Sequence, residues 1–161
     1  VFAPLLAILQ KVAADEKSEV KKSYLMMYQK YTALKENTVQ ENLLISSILL
    51  GSRKMSQEER ELWDRFISKD TLPQFHTVAD STIALKLGEL LSVEKFNTFM
   101  AEERDMISYE ARSGKYSVSH LGWSNQIDIK MDYFNKVQSL LRTQIQKIDK
   151  ETIAQHQKIL A

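Results

Sequence analysis

The chain is poor in the residues that make tight turns, with four Gly and two Pro among 161 residues. A chain of average composition would carry roughly 11 Gly and 8 Pro. Sheet proteins need many such turns, so this scarcity argues against a sandwich, a barrel or a propeller. Neither a G-x-G-x-x-G loop nor a Walker-type phosphate loop can be assembled from the four glycines. The absences favour a few long helices with few corners.

Cysteine is absent, which excludes disulfides, thiol catalysis and Cys-based zinc sites. The charges nearly cancel, with 22 Lys+Arg against 21 Asp+Glu and a net charge of +1. No general basic field is available to bind nucleic acid by neutralising phosphates, so no nucleic-acid partner is expected.

Long apolar runs are also missing. The longest, Leu43 to Leu50, is interrupted by Ser46 and Ser47 and falls far short of the ~20 residues of a membrane span. The chain starts at Val1 rather than Met, so we expect one helical domain over 1–161, excised from a larger signalling protein. Any membrane anchor would then lie outside this chain.

Apolar residues recur at spacings of three and four, which predicts an all-α antiparallel bundle of about five to six helices. The first helix is predicted over Phe2–Ala14, followed by a polar corner at Asp15–Ser18. A long second helix is predicted from Glu19 to Leu50, with Gly51 as the left-handed residue just beyond its end.

Capping signals place the later helices. Ser56-Gln57-Glu58-Glu59 is a capping-box pattern that opens a helix ending near Asp70, before Pro73. Short helices are predicted over 75–79 and 83–91. Another follows Ser92 and ends at Ser113-Gly114.

The last helix is predicted to open near Ser119 and to run to Leu160. At about 1.5 Å per residue it would be ~60 Å long, more than a compact bundle of this size needs. Its C-terminal end is therefore expected to leave the bundle or to pair with a partner. Its apolar stripe comprises Trp123, Ile127, Met131, Phe134, Val137, Leu141, Ile145 and Ile148.

No motif indicates catalysis. None of the three His belongs to a Glu-x-x-His or H-E-x-x-H motif, and no nucleophile signature is present. Paired acidic residues such as Glu58-Glu59 are typical of solvated helix faces. We therefore expect no enzyme activity, no metal site and no cofactor.

Polar residues interrupt the inward face of the second predicted helix. Helical steps from Leu34 reach Thr38, then Glu41 or Asn42, before the apolar stripe resumes at Ile45. Burying such groups without partners costs about 1–3 kcal/mol each. Two interpretations remain open: a small polar pocket inside the bundle, or a structural hydrogen-bond network in which Glu41 meets an Arg from another helix.

Arg104 is the predicted counterpart, because it borders the apolar face of its own helix. A guanidinium there can bind a planar anion through two parallel hydrogen bonds. It can equally form a salt bridge with Glu41, Glu103 or Glu110, or lie in solvent. The candidate ligand-binding residues are Arg104, Asn42, Thr38 and Glu41.

The order of motifs resembles the C-terminal half of the nitrate- and nitrite-sensing domain family, over most of the chain. Four stretches carry the resemblance. They are Leu5 to Gln10, Tyr31 to Glu36 leading to Gln40-Glu41-Asn42-Leu43, Phe96 to Glu103-Arg104-Asp105, and Trp123 with Gln126 to Lys130 before a long helix.

The resemblance implies an all-helical sensor that holds nitrate or nitrite between helices, chiefly through Arg side chains. Arg104 falls on the later Arg position of the family. Asn42 stands where the earlier motif has Arg, and the family's first half, with its own Glu-Arg motif, is missing. Losing a cation from a buried anion site should weaken binding, so a neutral ligand, or no ligand, is also consistent with the pattern.

The leading hypothesis is a sensory input domain of a signal-transduction protein, with a small solute or anion bound between helices. The alternative is a ligand-free helical dimerisation or protein-interaction module. A homodimer is expected in either case. The resemblance further implies an extracytoplasmic region of a membrane receptor, with the cytoplasm as the alternative.

Overall fold

The computed structural model of the chain describes residues 2–73, 83, 85–86 and 100–160. The described residues form no strand, which confirms the all-α prediction. They contain four helices: α1 (Phe2–Gly51), α2 (Gln57–Lys69), α3 (Ala101–Glu110) and α4 (His120–Leu160). The helices expected over 75–79 and 83–91, and the start of the one after Ser92, lie largely outside the described residues.

The predicted corner at Asp15–Ser18 is wrong, since α1 runs unbroken through it. The prediction rested on polarity alone, and the stretch contains neither Gly nor Pro. Glu16 and Lys17 favour a helix. An ion pair between Lys17 Nζ and Glu151 Oε2, at 3.6 Å, further ties this stretch to α4.

The end of α1 differs by one residue from the prediction. Gly51 is the last helical residue, and the left-handed position is taken by Ser52, with φ of 44°. The Arg53 amide donates to the Ile48 carbonyl at 3.3 Å, and the Ser52 amide donates to that of Leu49 at 3.2 Å. These two bonds form a Schellman motif that closes the helix.

Three other predicted boundaries are confirmed. The capping box joins Ser56 and Glu59, and α2 ends at Lys69 with Asp70 as its C-cap. The end of α3 differs, since the helix stops at Glu110, three residues before the predicted end at Ser113-Gly114, and Gly114 is left-handed with φ of 74°. The Ser119 hydroxyl accepts from the Gly122 amide at 2.9 Å and so caps the start of α4.

Helices α1 and α4 are antiparallel and form the frame of the molecule. Lys35 bonds Gln138 near the middle of the pair, whereas Lys21 bonds Asp149 at 2.6 Å towards the start of α1. The C-terminal part of α4 therefore pairs with the first half of α1 in the same chain.

Two apolar clusters fill the core. The first cluster joins α1 and α4 with Ile83, and contains Tyr24, Met27, Tyr31, Leu34, Tyr133, Phe134, Val137 and Leu141. The second cluster joins all four helices, and contains Ile45, Leu49, Trp63, Met100, Ile107, Trp123 and Ile127. On α1 the gap between the clusters is occupied by Thr38 and Glu41, and on α4 by Lys130.

Candidate functional site: a buried charged layer

Four ionisable side chains meet between the two apolar clusters. We call them the charged layer: Glu41 of α1, Asp70 at the end of α2, Arg104 of α3 and Lys130 of α4. The Glu41, Asp70 and Lys130 side chains are at most 3% exposed, and that of Arg104 is 16% exposed. Each helix therefore contributes one charge at or near the same level of the bundle.

Glu41 is fully enclosed, and both of its oxygens are engaged. Its Oε1 accepts from Arg104 Nε at 2.8 Å and from the Trp63 indole at 2.9 Å. Its Oε2 accepts from Arg104 Nη2 at 2.7 Å. This bidentate arrangement is the geometry in which Arg binds carboxylates most strongly.

Asp70 joins the two cations of the layer. Its Oδ2 accepts from Arg104 Nη2 at 2.7 Å and from Lys130 Nζ at 2.6 Å. Its Oδ1 is buried and has no hydrogen-bond partner. Since a buried donor or acceptor without a partner is rare in folded proteins, this oxygen needs a physical explanation.

The two cations respond differently to burial. Burial would lower the pKa of Arg104, but hydrogen bonds and charge from Glu41 and Asp70 outweigh it, so its pKa lies above the ordinary value. Burial also lowers the pKa of Lys130, and there the opposing charge of Asp70 does not restore the usual value. The Glu41 and Asp70 carboxylates thus stabilise the charged form of Arg104.

The other predicted ligand residues lie beside the charged layer and form hydrogen bonds with groups outside it. The Thr38 hydroxyl donates to the Leu34 carbonyl of its own helix at 2.8 Å. The Asn42 side-chain oxygen accepts from the Trp123 indole at 3.1 Å and from the Ser46 hydroxyl at 3.0 Å. The structure therefore pairs Arg104 with Glu41 and leaves Thr38 and Asn42 outside that contact.

Sequence reasoning missed Asp70, Lys130 and Trp63 as members of the site. Lys130 had a usable signal, because residues 127, 130, 134 and 137 follow the three-four spacing of the buried face of α4. The predicted stripe contains Met131, which is partly buried against both apolar clusters, whereas Lys130 beside it is fully buried. Asp70 gave no such signal, since it lies at a helix end.

The described residues form neither a metal site nor a membrane span. No group of His, Asp and Glu side chains in the described part of the chain is placed to hold a metal ion. Nor does any helix within these ranges combine the length and apolar character needed to cross a membrane. The chemistry that the layer can perform is hydrogen bonding and charge pairing.

Comparison with protein-family models, with curated proteins and with solved structures found no match for this chain.

Proposed function

We propose that this chain is a sensory input domain of a signal-transduction protein, and that a small solute or anion binds between the helices at the charged layer. The observation that carries the proposal is the position of Arg104. The Arg104 guanidinium, on α3, donates to the Glu41 carboxylate of α1 and to the Asp70 carboxylate at the end of α2. A solute that competes for this group would alter the contacts of three helices at once.

The charged layer can switch between two arrangements, because each of its hydrogen bonds is either made or broken. If a solute replaces a carboxylate on Arg104, that carboxylate needs a new partner, and the helices that carry the two groups repack. A ligand shifts such an equilibrium in proportion to its preference for one packing. Helices α1 and α4 would carry the change to their paired ends, where a signalling module could be attached.

Nitrate and nitrite are the first ligands to test, because the family resemblance implies them. The setting in a membrane receptor, with the domain outside the cytoplasm, rests on the same resemblance. Thermal unfolding should be measured with nitrate, nitrite and a panel of small solutes. A ligand that binds only the folded state raises the midpoint, and a concentration of 100 Kd adds about 2.7 kcal/mol.

Arg104→Lys is the test variant, and Arg112→Lys, at an exposed position, is its matched control. Lysine keeps the charge but loses the planar fork, so the ligand-induced rise should disappear in Arg104→Lys and persist in Arg112→Lys. The absence of a shift with every solute in the unmodified chain would refute the sensor proposal.

A second candidate function is homodimerisation, which is favoured by exposed apolar side chains where α1 begins and α4 ends. On α1 they follow a broad stripe, and their exposed fractions lie between 48% and 59%. The set comprises Leu5, Leu6, Ile8, Leu9 and Val12 on α1, with Ile153, Ile159 and Leu160 on α4. Between the two helices lies a cleft of ≈ 540 Å³ lined by Leu9, Ile148 and Ile159 among others.

The partner that we propose for this surface is a second copy of the chain. Full burial of an aliphatic side chain corresponds to roughly 60–120 Å² of apolar area. Eight such side chains, about 60% exposed on average, would bury roughly 600–1,150 Å² in total in a symmetric dimer. The upper end of that range reaches the lower limit for a specific interface. A net charge of +1 adds little repulsion between copies.

Light scattering over a concentration series tests the dimer. We expect the unmodified chain to dimerise, the double variant Ile8→Ser/Val12→Ser to be monomeric, and Leu43→Ser to dimerise normally. Leu43 is the matched control because it is 67% exposed but lies elsewhere on α1. If the unmodified chain stays monomeric at every concentration, homodimerisation is refuted.

A further inference from the structure

Two polar atoms of the charged layer, Asp70 Oδ1 and Arg104 Nη1, have no hydrogen-bond partner. They belong to the two groups that the Arg104–Asp70 hydrogen bond joins. Arg104 Nη2 donates to Asp70 Oδ2 at 2.7 Å. Asp70 Oδ1 shares a carbon with that oxygen and is buried without a partner. Arg104 Nη1 shares a carbon with Nη2, and it donates no hydrogen bond, because the bonds of this guanidinium come from Nε and Nη2. One unused acceptor and one unused donor group thus lie beside a single ion pair.

Solvent reaches Arg104 Nη1, one of these two atoms. The Nη1 atom has no partner, yet it is not among the enclosed polar atoms that lack one, so it keeps contact with solvent. The segment that carries Asp70 also has space beside it. A cleft of ≈ 430 Å³ is lined by Lys69, Thr71 and Leu72, on both sides of Asp70 in sequence, together with Asn37 of α1. This segment is therefore not packed on every side.

The charges of the layer determine the kind of ligand. Glu41 and Asp70 supply two negative charges, and Arg104 and Lys130 supply two positive charges, so the four side chains sum to zero. Within the charged layer as the described residues form it, an incoming anion would find no surplus cation to offset the loss of its hydration, which is large for a buried charge. A neutral solute avoids that cost.

Resting on the sensor function proposed above, we infer that the layer selects a small uncharged solute that carries a hydrogen-bond donor and an acceptor side by side, as a primary carboxamide does. The carboxamide N–H donates to Asp70 Oδ1, and its carbonyl accepts from Arg104 Nη1. Both unused groups then gain a partner without a change in the net charge of the core.

Nitrate and nitrite fit this position less well than a carboxamide. Both anions have acceptor oxygens only, so neither can donate to Asp70 Oδ1. A site built around a buried polar group discriminates strongly against a ligand that leaves that group unpaired. The inference therefore narrows the ligand class within the proposed function and differs from the class implied by the family resemblance.

The test uses the indole N–H signals of the two tryptophans in NMR titrations. The Trp63 indole donates to Glu41 Oε1, which also accepts from Arg104, so its signal reports on the charged layer. The Trp123 indole donates to Asn42 and serves as the internal reference. The probes are formamide, N,N-dimethylformamide, which lacks the N–H donor, sodium nitrate, and sodium chloride as the ionic control.

We expect formamide to move the Trp63 signal saturably, and to bind about tenfold more tightly than N,N-dimethylformamide, which corresponds to loss of one hydrogen bond to a buried group. Asp70→Asn should abolish the saturable shift. Asp128→Asn, at an exposed position of α4, should preserve it. Titration of the unmodified chain with formamide and with N,N-dimethylformamide tests the carboxamide proposal even if Asp70→Asn does not fold.

The possible failures are distinguishable. Equal affinity for the two amides, or saturation by nitrate alone, overturns the carboxamide class and leaves a ligand-binding sensor in place. If no probe of either class gives a saturable shift and no solute raises the unfolding midpoint, the proposed function fails as well.

Discussion

Glu41 shows how a single buried charge constrains its surroundings. A carboxylate with 0% exposure is tolerable only when its partners replace the lost water, and here three donors from Trp63 and Arg104 do so. Such pairs add little net stability, because desolvation offsets the attraction, but breaking one leaves an uncompensated charge in the core.

Arg104→Ala should therefore lower the free energy of unfolding by about 3–5 kcal/mol. Urea denaturation measures this loss. Arg65→Ala, at an exposed position of α2, is the matched control and should change stability by no more than about 0.5 kcal/mol. The double variant Glu41→Leu/Arg104→Leu should cost less than the two single changes added together, since it removes both charges. Strict additivity would contradict the observed pairing.

The Arg53–Glu59 pair predicts acid sensitivity in the turn between α1 and α2. Both carboxylate oxygens of Glu59 accept from Arg53, at 2.7 and 2.6 Å. These bonds are the main reason that the pKa of Glu59 falls from 4.5 to about 2. A carboxylate whose pKa is lowered by folding stabilises the folded state at pH values above its unfolded pKa. That stabilisation is lost as the pH falls towards the folded pKa.

Stability should thus decrease between about pH 4.5 and pH 2, in part because Glu59 becomes protonated. In Glu59→Gln this part of the pH dependence should be missing, so the curve of unfolding free energy against pH becomes flatter in that window. Glu58→Gln, at the exposed neighbouring position, should keep the slope of the unmodified chain. Identical slopes in all three proteins would show that the pair does not respond to pH.

At the scale of residues, the sequence predicted the participants better than their partners. Glu41 and Arg104 could be identified because each interrupts or borders an apolar stripe, and a bond between them was one of the open interpretations. Asp70 and Lys130 could not be assigned to Arg104 in the same way. Their contacts depend on the axial alignment of α2, α3 and α4, which spacing along one helix does not determine.

Among the elements, the turn after α1 and the turn after α3 dock on each other. The Met55 amide donates to the Ala111 carbonyl at 3.2 Å, and the Tyr116 hydroxyl donates to the Arg53 carbonyl at 2.7 Å. Gly114 lies close to the backbone of the other turn. A Cβ at this position would lie 3.0 Å from the Lys54 nitrogen and 3.1 Å from the Arg53 carbonyl carbon.

Gly114→Ala should therefore lower the unfolding free energy by about 2 kcal/mol, because a left-handed backbone alone costs an L-residue roughly 1–2 kcal/mol and the close backbone atoms add to that cost. Gly51→Ala provides the contrast. Its Cβ would meet only the Arg53 side chain, at 3.6 Å, so this helical position should gain about 0.5–1 kcal/mol. Urea denaturation measures the unfolding free energy of both variants. Equal changes in the two would contradict the close approach of backbone atoms at Gly114.

Local chemistry explains which elements could be predicted. The capping box of α2, the stop before Pro73 and the Ser119 cap each depend on chemistry within a few residues, and all three are confirmed. The corner at Asp15–Ser18 was wrong because polarity by itself does not end a helix. The contact of that stretch with α4 connects residues more than 100 positions apart, as in the Lys17–Glu151 ion pair.

At the scale of the whole molecule, support for α1 is uneven along its length. Residues 4–12 are exposed on every side, whereas Tyr24, Tyr31 and Ile45 are enclosed by the two apolar clusters. A helix segment without tertiary packing depends on its own marginal propensity. The molecule thus combines a packed body with a lightly supported end.

Hydrogen exchange should reproduce this division. Amides of residues 4–12 should open with a free energy near zero at low protein concentration, and those of residues 24–49 should approach the global unfolding free energy. Mass spectrometry of peptic fragments measures both. Equal protection along the whole of α1 in a monomeric sample would contradict the expectation.

The length of α1 has a mechanical consequence for the charged layer. Glu41 and Phe2 lie on one continuous helix, 39 residues apart, which at about 1.5 Å per residue is roughly 60 Å. A tilt of only about 1° at the level of Glu41 would move the far end by about 1 Å. Under the proposed sensor function, and in the proposed dimer that packs residues 4–12, α1 would act as a lever arm. It would amplify a small angular change at the charged layer into a displacement at the start of the helix.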